Sequence, residues 1–306
     1  MKLSICIGIP VKNEVDNIQI LQHQITNLMN KIKYTEVEFS ICVNDNLSSD
    51  GSTELLMKWQ ESDARLKLFK LEHPLDFQST IQDLMKKTNS DAFAIIQSDL
   101  QDSVDDFEKL LDVYLANRDY IVAGRALSRE GSKFVNVFRK VFYQLLSSSS
   151  GTNFVPGFQD FYILPKYVYS QVSSLPMNRL FIRGYLQFNF EKFVFVDYNR
   201  VARVSGISKF SFASMYDLAL DGLLLYGRRF IRILSLTSFL FFLFGFLSGL
   251  LVVVLTFAGI NFGAKGWASI ILGISILVSF FGLLAGIILE YLIRIYSGLN
   301  LPRNKS

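Results

Sequence analysis

Two long stretches in the carboxyl-terminal part of the chain carry no acidic or basic side chain. The first lies between Arg232 and Lys265, and the second lies between Lys265 and Glu290. Each is longer than the roughly 20 residues that a helix needs to cross a bilayer. A buried helix pair of a soluble protein is the alternative, but two uninterrupted neighbouring stretches favour membrane spans. We therefore expect transmembrane helices over about 233–259 and 266–292.

Basic residues flank these two stretches on their outer sides. Three arginines precede the first stretch and three basic residues follow the second, whereas the connection between them holds only Lys265. The positive-inside rule then places both termini in the cytoplasm and the short connection outside. The first twenty residues lack the basic start and apolar centre of a signal peptide. Cys6 and Cys42 have no metal-binding spacing and are expected to be reduced core residues of a cytosolic domain.

The preceding part of the chain alternates strand-like and helix-like segments. The runs "LSICIGIP", "VEFSICVND", "RLKLFK", "DAFAII" and "DYIVAGRAL" are typical of strands, as are the later "FYIL" and "KFVFVDY". Repetition of strand and helix predicts an α/β fold, a mostly parallel sheet with helices on both faces. Ligands of such sheets bind beyond the carboxyl ends of the strands, where polar segments should converge on one cleft. The predicted helices of the first part are Asn13–Asn30, Glu54–Gln60, Ser79–Lys87 and Val104–Asn117.

Several enzyme classes lack their signatures in this sequence. No glycine-rich turn follows the first strand, and neither a P-loop lysine motif nor a Gly-x-Ser-x-Gly elbow is present. The two histidines, His23 and His73, stand alone. Any chemistry in the cleft must therefore rely on acids, amides and arginines.

The segment "QSDLQD" places an oxygen-rich cluster directly after the fourth strand. Gln97, Asp99, Gln101 and Asp102 offer the oxygen ligands that Mg²⁺ or Mn²⁺ prefers. An acidic helix start is the alternative explanation, because anions favour a helix N-terminus. On this segment alone both interpretations stay open.

Two later segments supply matching positive charge. "GRALSR" contains Arg125 and Arg129, and "NRVARVSGISK" contains Arg200, Arg203 and Lys209. Guanidinium groups suit phosphate oxygens, whereas ordinary surface charge is the alternative. A cleft with a metal, several arginines and a membrane anchor indicates two phosphorylated partners, one a soluble nucleotide and the other a lipid phosphate.

The order of these segments resembles that of the polyprenyl-phosphate glycosyltransferases of glycosyltransferase family two. That group includes dolichol-phosphate mannose synthases and bactoprenol glucosyltransferases. The resemblance covers nearly the whole chain and rests on "IPVKNEVDNI", "VNDNLSSDGS", "SDLQD", "GRALSRE", "GFQDFYIL" and "RVARVSGISKF", followed by the paired spans. It implies a cytosolic GT-A domain over 1–208, a juxtamembrane amphipathic helix over 209–231 and a membrane anchor over 232–306.

The resemblance also implies an activity. A sugar would pass with inversion from a nucleotide-sugar, UDP-glucose or another UDP- or GDP-sugar, to undecaprenyl or another polyprenyl phosphate at the cytoplasmic face. The product would serve the modification of cell-envelope glycans, and the implied cofactor is Mg²⁺ or Mn²⁺. No nucleic-acid partner is expected, and the glycine-containing spans permit homo-oligomers.

The resemblance assigns roles to individual residues. Pro10, Val11 and Glu14 would line the nucleotide pocket, and Asp45 would contact the base. The implied metal ligands are Gln97, Asp99 and Gln101. The residues implied to bind the acceptor phosphate and the pyrophosphate are Arg125, Arg129, Arg200, Arg203 and Lys209. The implied catalytic residues are Asp99, Asp160 and Arg125.

Four positions depart from the family pattern. Gln97 replaces the first acid of the metal motif, and Tyr162 stands where arginine is usual. "HPLDFQ" replaces a common Arg-Asn-x-Gly segment, and "SVDD" replaces a common Pro-Pro. These changes leave open a catalytically weakened relative that acts as a nucleotide-sugar-binding or scaffold subunit. A processive polysaccharide synthase is disfavoured, because two spans provide no evident polymer channel.

Overall fold

The chain forms two compact units, one built on a β-sheet and the other on two long helices. Each unit is described separately, from a computed structural model. The residues that the structure describes are 2–127, 144, 147–148, 154–176, 181–200, 228–260 and 266–299.

A seven-stranded sheet forms the centre of the first unit. Both of the later strand-like segments belong to it, as predicted. Its strands are β1 (Leu3–Val11), β2 (Val37–Asp45), β3 (Leu66–Lys70), β4 (Ala92–Ile95), β5 (Ile121–Ala126), β6 (Phe158–Pro165) and β7 (Phe193–Tyr198).

The strand order is β3-β2-β1-β4-β6-β5-β7. All neighbouring pairs are parallel except the two that involve β6, which runs antiparallel to β4 and β5. The prediction of a mostly parallel sheet is therefore confirmed. Because β6 is reversed, it begins at the edge where its neighbours end. Ile95 at the end of β4 pairs with Tyr162, so the residues after Ile95 lie beside those that precede Tyr162.

Six helices connect these strands within the described part of the first unit. Side-chain caps fix two of the starts: Asp76 accepts hydrogen bonds from two backbone amides of α3, and the Ser103 hydroxyl accepts one from Asp106 in α4. The helices are α1 (Val15–Met29), α2 (Ser52–Ser62), α3 (Phe77–Lys86), α4 (Val104–Ala116), α5 (Lys166–Ser173) and α6 (Ile182–Asn189).

The centre of the sheet is closely packed. Every residue of β4 is fully buried, as expected for a central strand covered on both faces. At Gly8 in β1, an added Cβ would lie 2.4 Å from Cζ of Phe93 on the adjacent strand. Glycine at this position leaves the space that the Phe93 ring occupies next to β1.

Three residues other than glycine adopt the left-handed backbone conformation within the described ranges. They are Asn13, Leu47 and Leu100, with φ angles of 54°, 56° and 55°. They follow the carboxyl ends of β1, β2 and β4, respectively. This conformation is costly for leucine and tends to occur at functional sites. The strain thus lies at the sheet edge where the sequence predicts the cleft.

The second unit consists of α7 (Arg228–Phe257) and α8 (Trp267–Leu299), which pack against each other. By length and composition, Arg232–Phe257 and Trp267–Leu292 are each apolar enough to cross a membrane. These segments agree with the predicted spans. Most of the predicted juxtamembrane helix, 209–231, lies outside the described residues.

Glycines bring α7 and α8 into backbone contact. A Cβ added to Gly282 would lie 2.7 Å from the backbone nitrogen of Phe242, and one added to Gly245 would lie 2.7 Å from that of Ser279. The Ser279 hydroxyl donates a hydrogen bond of 3.0 Å to the Phe242 carbonyl. Small residues at the contact surface are the usual means by which apolar helices associate in membranes.

Candidate active site

Three buried carboxylates meet at the carboxyl edge of the sheet. Asp99 and Asp102 follow β4, and Asp160 lies in β6; their exposed fractions are 4%, 1% and 5%. The antiparallel pairing of β4 with β6 brings the two segments together. Burial of a carboxylate is costly unless a cation or hydrogen-bond donors compensate its charge. The partners of each acid therefore determine what the site can do.

Asp102 is compensated by an arginine and a tyrosine. Arg200 Nε lies 3.0 Å from Asp102 Oδ1, and the Tyr198 hydroxyl donates a hydrogen bond of 2.5 Å to the same oxygen. Burial raises the pKa of the Asp102 carboxyl, and the nearby Asp99 adds to the rise, whereas Arg200 and Tyr198 oppose it. Asp102 was predicted to be a metal-site or helix-start acid. In the structure Ser103 caps the helix, and Asp102 anchors Arg200 instead.

Gln97 also contacts Arg200. Its side-chain oxygen, Oε1, accepts a hydrogen bond of 3.3 Å from Arg200 Nη2, and its Nε2 donates a bond of 3.5 Å to the Asp160 carbonyl. The glutamine thus connects the end of β4 with both β6 and the residue after β7.

The metal prediction can be tested on this arrangement. Gln97 does not fit as a ligand, because a divalent cation at Oε1 would lie against the Arg200 guanidinium. Asp99 and Gln101 follow in the same loop, where Asp99 Oδ1 accepts a hydrogen bond from the Gln101 amide. They fit the oxygen chemistry of Mg²⁺ or Mn²⁺. No group of three His, Cys, Asp or Glu side chains suited to a metal occurs within the described ranges.

Two residues that were not predicted hold Asp160 in place. Gln78 Nε2 donates a hydrogen bond of 3.2 Å to Asp160 Oδ2, and Arg183 Nε lies 3.2 Å from the same oxygen. Asp160 Oδ1 is buried and makes no hydrogen bond within the described part of the chain. The carboxylate is thus fixed through one oxygen, and its other oxygen is a buried acceptor whose charge these contacts do not compensate.

These contacts explain two of the departures from the family pattern. "HPLDFQ" supplies Asp76, which caps α3, and Gln78, which binds Asp160. Tyr162 is fully buried in β6, and the guanidinium near Asp160 comes from Arg183 in α6 instead. Hydrophobic periodicity does not predict a function for Gln78 or Arg183, because both residues occur in amphipathic segments. An arginine with only 12% of its side chain exposed is a signal, but it appears only once the fold is known.

The residues predicted to bind the nucleotide lie at the end of β1, at the start of α1 and at the end of β2. The Pro10 carbonyl accepts a hydrogen bond from the Ser98 hydroxyl, and the Val11 carbonyl accepts one from the Asn46 amide. Glu14 caps α1 without a side-chain bond to its amides, and its Oε2 accepts a bond from the Asn17 amide group. The three lie at the same edge of the sheet as the buried acids, and their role in nucleotide binding stays a prediction.

Asp45, the predicted base contact, is buried at the end of β2. Its Oδ1 accepts a hydrogen bond of 3.1 Å from the Ser48 amide, and its Oδ2 accepts one from the Thr53 hydroxyl. Ser48 lies in the loop between β2 and α2, and Thr53 lies in the first turn of α2. A carboxylate has further lone pairs, so this structural role leaves room for contact with a base.

Arg125 is not brought into contact with the buried acids. Its Nε and Nη2 bind the two carboxylate oxygens of Asp197 on the adjacent β7, at 2.5 and 2.8 Å. Its predicted catalytic and phosphate-binding roles stay predictions. The predicted phosphate-binding residues Arg129, Arg203 and Lys209 lie outside the described residues.

A family model described as glycosyl transferase family 2 matches residues 6–187, more than half of the chain. The chain belongs to glycosyl transferase family 2. It is therefore a glycosyltransferase, with a GT-A-like fold followed by two apolar helices. The matched range contains the predicted strand-end cluster and Asp160, and it ends before Arg200 and the two helices.

Similar proteins extend the comparison to almost the full chain. A bactoprenol glucosyl transferase of Shigella phage SfX is 26% identical over 300 residues, covering 97% of this chain and 95% of the relative. An uncharacterized glycosyltransferase, YkcC, of Bacillus subtilis is 26% identical over 290 residues, covering 95% of this chain and 88% of the relative. Both alignments extend through the region of the two candidate spans.

The fold is also similar to that of a solved glycosyltransferase. Glucosyl-3-phosphoglycerate synthase from Mycobacterium tuberculosis, in complex with Mn²⁺, UDP-glucose and phosphoglyceric acid, superposes with a TM-score of 0.52. The two chains are 15% identical, and the match covers 72% of this chain and 78% of the synthase. At this identity the likeness shows the fold alone.

Proposed function

We propose that this protein transfers a sugar from a nucleotide-sugar to a polyprenyl phosphate, with inversion at the anomeric carbon. The arrangement of Asp99, Asp102 and Asp160 with two arginines, in a chain with two candidate spans, carries the proposal. Such a site suits two phosphorylated substrates, one soluble and one held in a bilayer. The near-full-length similarity to a bactoprenol glucosyl transferase supports the lipid acceptor.

The donor is UDP-glucose or another UDP- or GDP-sugar, and the acceptor is undecaprenyl phosphate or a related lipid. The reaction takes place at the cytoplasmic face of the inner membrane, with both termini of the chain on that side. Basic residues are more numerous before the first span and after the second span than in the connection between them, which supports this orientation. The product, a sugar linked to polyprenyl phosphate, would then be used by a further transferase that modifies an envelope glycan.

The chemistry is a single displacement. A phosphate oxygen of the lipid forms a bond to the anomeric carbon, while the bond from that carbon to the nucleoside diphosphate breaks. The diphosphate leaves with the bonding electron pair. A phosphate monoester is already anionic near neutral pH, so the site needs no strong base. Catalysis comes from positioning and from positive charge near the leaving group.

The residues of the site divide this work. Asp160, fixed by Gln78 and Arg183, orients the acceptor or the sugar. Arg200 faces the diphosphate. A divalent cation bound at Asp99 and Gln101 would add positive charge near the leaving group. The Mn²⁺ in the synthase from M. tuberculosis supports a cation in this fold.

The proposal is tested with the full chain in lipid nanodiscs. Undecaprenyl phosphate is supplied together with each of a panel of labelled UDP- and GDP-sugars, and labelled lipid is extracted into chloroform. We expect product from at least one donor. Asp160→Asn should lower the rate about a hundredfold through loss of positioning. The control Asp119→Asn, at an exposed position before β5, should leave it unchanged.

Absence of product with every donor would refute the proposal. Binding of a nucleotide-sugar without any turnover would instead support the catalytically weakened relative.

A further inference from the structure

Arg200 is held between two residues of the "QSDLQD" segment. It contacts Asp102 through Nε at 3.0 Å and through Nη2 at 3.4 Å, and Gln97 through Nη2 at 3.3 Å. We call these three residues the Arg200 clamp. Asp102 is fixed from its other side by Tyr198. The guanidinium therefore has a defined place at the end of β4, where the family pattern puts the first metal-binding acid.

The clamp leaves part of the guanidinium unused. Nη1 makes no hydrogen bond or ion pair with any residue in the described part of the chain. The side chain keeps 15% of its surface exposed, whereas that of Asp102 is fully covered. An arginine fixed on one side and open on the other is suited to bind a phosphate through its remaining donors.

Gln97 sets the net charge of the Arg200 clamp and the neighbouring Asp99. Together these residues carry a net charge of −1 with Gln97 in place, because Asp99 and Asp102 contribute two negative charges and Arg200 contributes one positive charge. An aspartate at that position would change it to −2, and the added carboxylate would form a second ion pair with Arg200. A diphosphate would then be repelled more strongly, unless a divalent cation neutralised the excess.

We propose that Arg200 is the built-in cation of this site and binds the donor diphosphate through Nη1, so that nucleotide binding does not depend on a divalent metal. This inference rests on the proposed function and deepens it. Gln97 is then a functional residue: its neutral oxygen holds Nη2 in position without adding charge. A divalent cation at Asp99 and Gln101 adds charge to the site but is not required for the donor to bind.

The affinity for a nucleotide, measured with and without a divalent metal, tests directly whether donor binding depends on the metal. The purified full chain in nanodiscs is titrated with UDP and with GDP by calorimetry, once with excess EDTA and once with MnCl₂. For the nucleotide that binds, the two Kd values should differ by less than about tenfold. Arg200→Met should weaken binding in EDTA by about ten- to a hundredfold, the loss of a hydrogen bond to a charged group. Arg118→Met, at an exposed position before β5, is the matched control and should bind as the wild type does.

A second measurement follows Mn²⁺ itself by electron paramagnetic resonance. Gln97→Asp alone should gain no Mn²⁺ affinity, because the new carboxylate pairs with Arg200. The double variant Gln97→Asp/Arg200→Met should gain a Mn²⁺ site, since it removes the guanidinium and adds a ligand. In a Trp267→Phe background, the fluorescence of Trp59, which is buried in the first unit, reports whether each variant is folded.

The outcomes separate this inference from the proposed function. Nucleotide binding that requires Mn²⁺, or a Mn²⁺ site gained by Gln97→Asp alone, would overturn the inference, and labelled lipid formed only with metal would leave the proposed function intact. Metal-free binding without any lipid product would support the inference and refute the function. Failure to bind either nucleotide under both conditions would contradict both.

Discussion

The ion pair of Asp102 and Arg200 gives a quantitative prediction about folding stability. Arg200→Met removes the only arginine that contacts Asp102 within the described residues and leaves a carboxylate whose side chain is fully covered. Breaking a buried pair by removal of one partner costs about 3–5 kcal/mol. The Tyr198 hydroxyl still donates its hydrogen bond, and Arg200 itself is partly exposed. We therefore expect the free energy of unfolding to fall by an amount at the lower end of this range, about 3 kcal/mol at neutral pH.

The loss should depend on pH with a definite sign. Burial already raises the pKa of the Asp102 carboxyl in the folded protein. A carboxyl whose pKa is higher in the folded than in the unfolded protein stabilises the fold fully when the pH is below its pKa in the unfolded protein, about 4. This contribution to stability is lost as the pH rises through its pKa in the folded protein. Removal of Arg200 raises the folded pKa further. The difference between Arg200→Met and the wild type should therefore be largest at neutral pH and shrink toward pH 4.

Thermal unfolding of the detergent-solubilised full chain provides the assay. The sequence contains two tryptophans, Trp59 and Trp267, so Trp267→Phe leaves emission from the first unit alone. Asp102→Asn/Arg200→Met removes both charges and should recover most of the lost stability. An equal loss at pH 4 and pH 7, or a double variant as unstable as the single one, would refute the argument.

Three further predictions concern packing, capping and backbone strain. Gly282→Leu should separate α7 from α8, because its Cβ would lie 2.7 Å from the Phe242 nitrogen; crosslinking between cysteines placed on the two helices measures this. Asp76→Ala should cost about 1 kcal/mol in denaturant unfolding through loss of a helix cap. Leu47→Asn should stabilise the protein by up to about 1 kcal/mol in the same assay, because asparagine tolerates a positive φ.

Each of these predictions has its own control. Gly273→Leu has no atom within 4 Å of the added Cβ, so equal loss of crosslinking there would contradict the packing argument. Asp76→Asn keeps a capping oxygen and should retain most of the stability. Leu127→Asn changes a residue of similar exposure whose φ angle is not positive. A gain there as large as at Leu47 would show that exposure, and not strain, is the cause.

The sequence predicts the strands and spans well because both depend on local apolar patterning. Element ends are less exact for a physical reason: α3 was expected from Ser79 but begins at Phe77, because Asp76 caps it. The sheet order and the reversal of β6 depend on pairing between distant segments, which periodicity does not report. The contacts of Arg183 and Gln78 with Asp160 were not predicted for the same reason. Their role exists only where α3, β6 and α6 meet.

The reversed strand β6 has a consequence for how such a protein can diverge. The ladder between β4 and β6 sets the separation of the "QSDLQD" segment from Asp160. The described ladder joins Ala92–Ile95 to Tyr162–Pro165, so the length of the chain between β5 and β6 does not set this separation. Evolution can thus vary the surroundings of the site while the placement of Asp160 beside the end of β4 is kept. A one-residue slip of the ladder, by contrast, would turn Asp160 to the opposite face and abolish the site in one step.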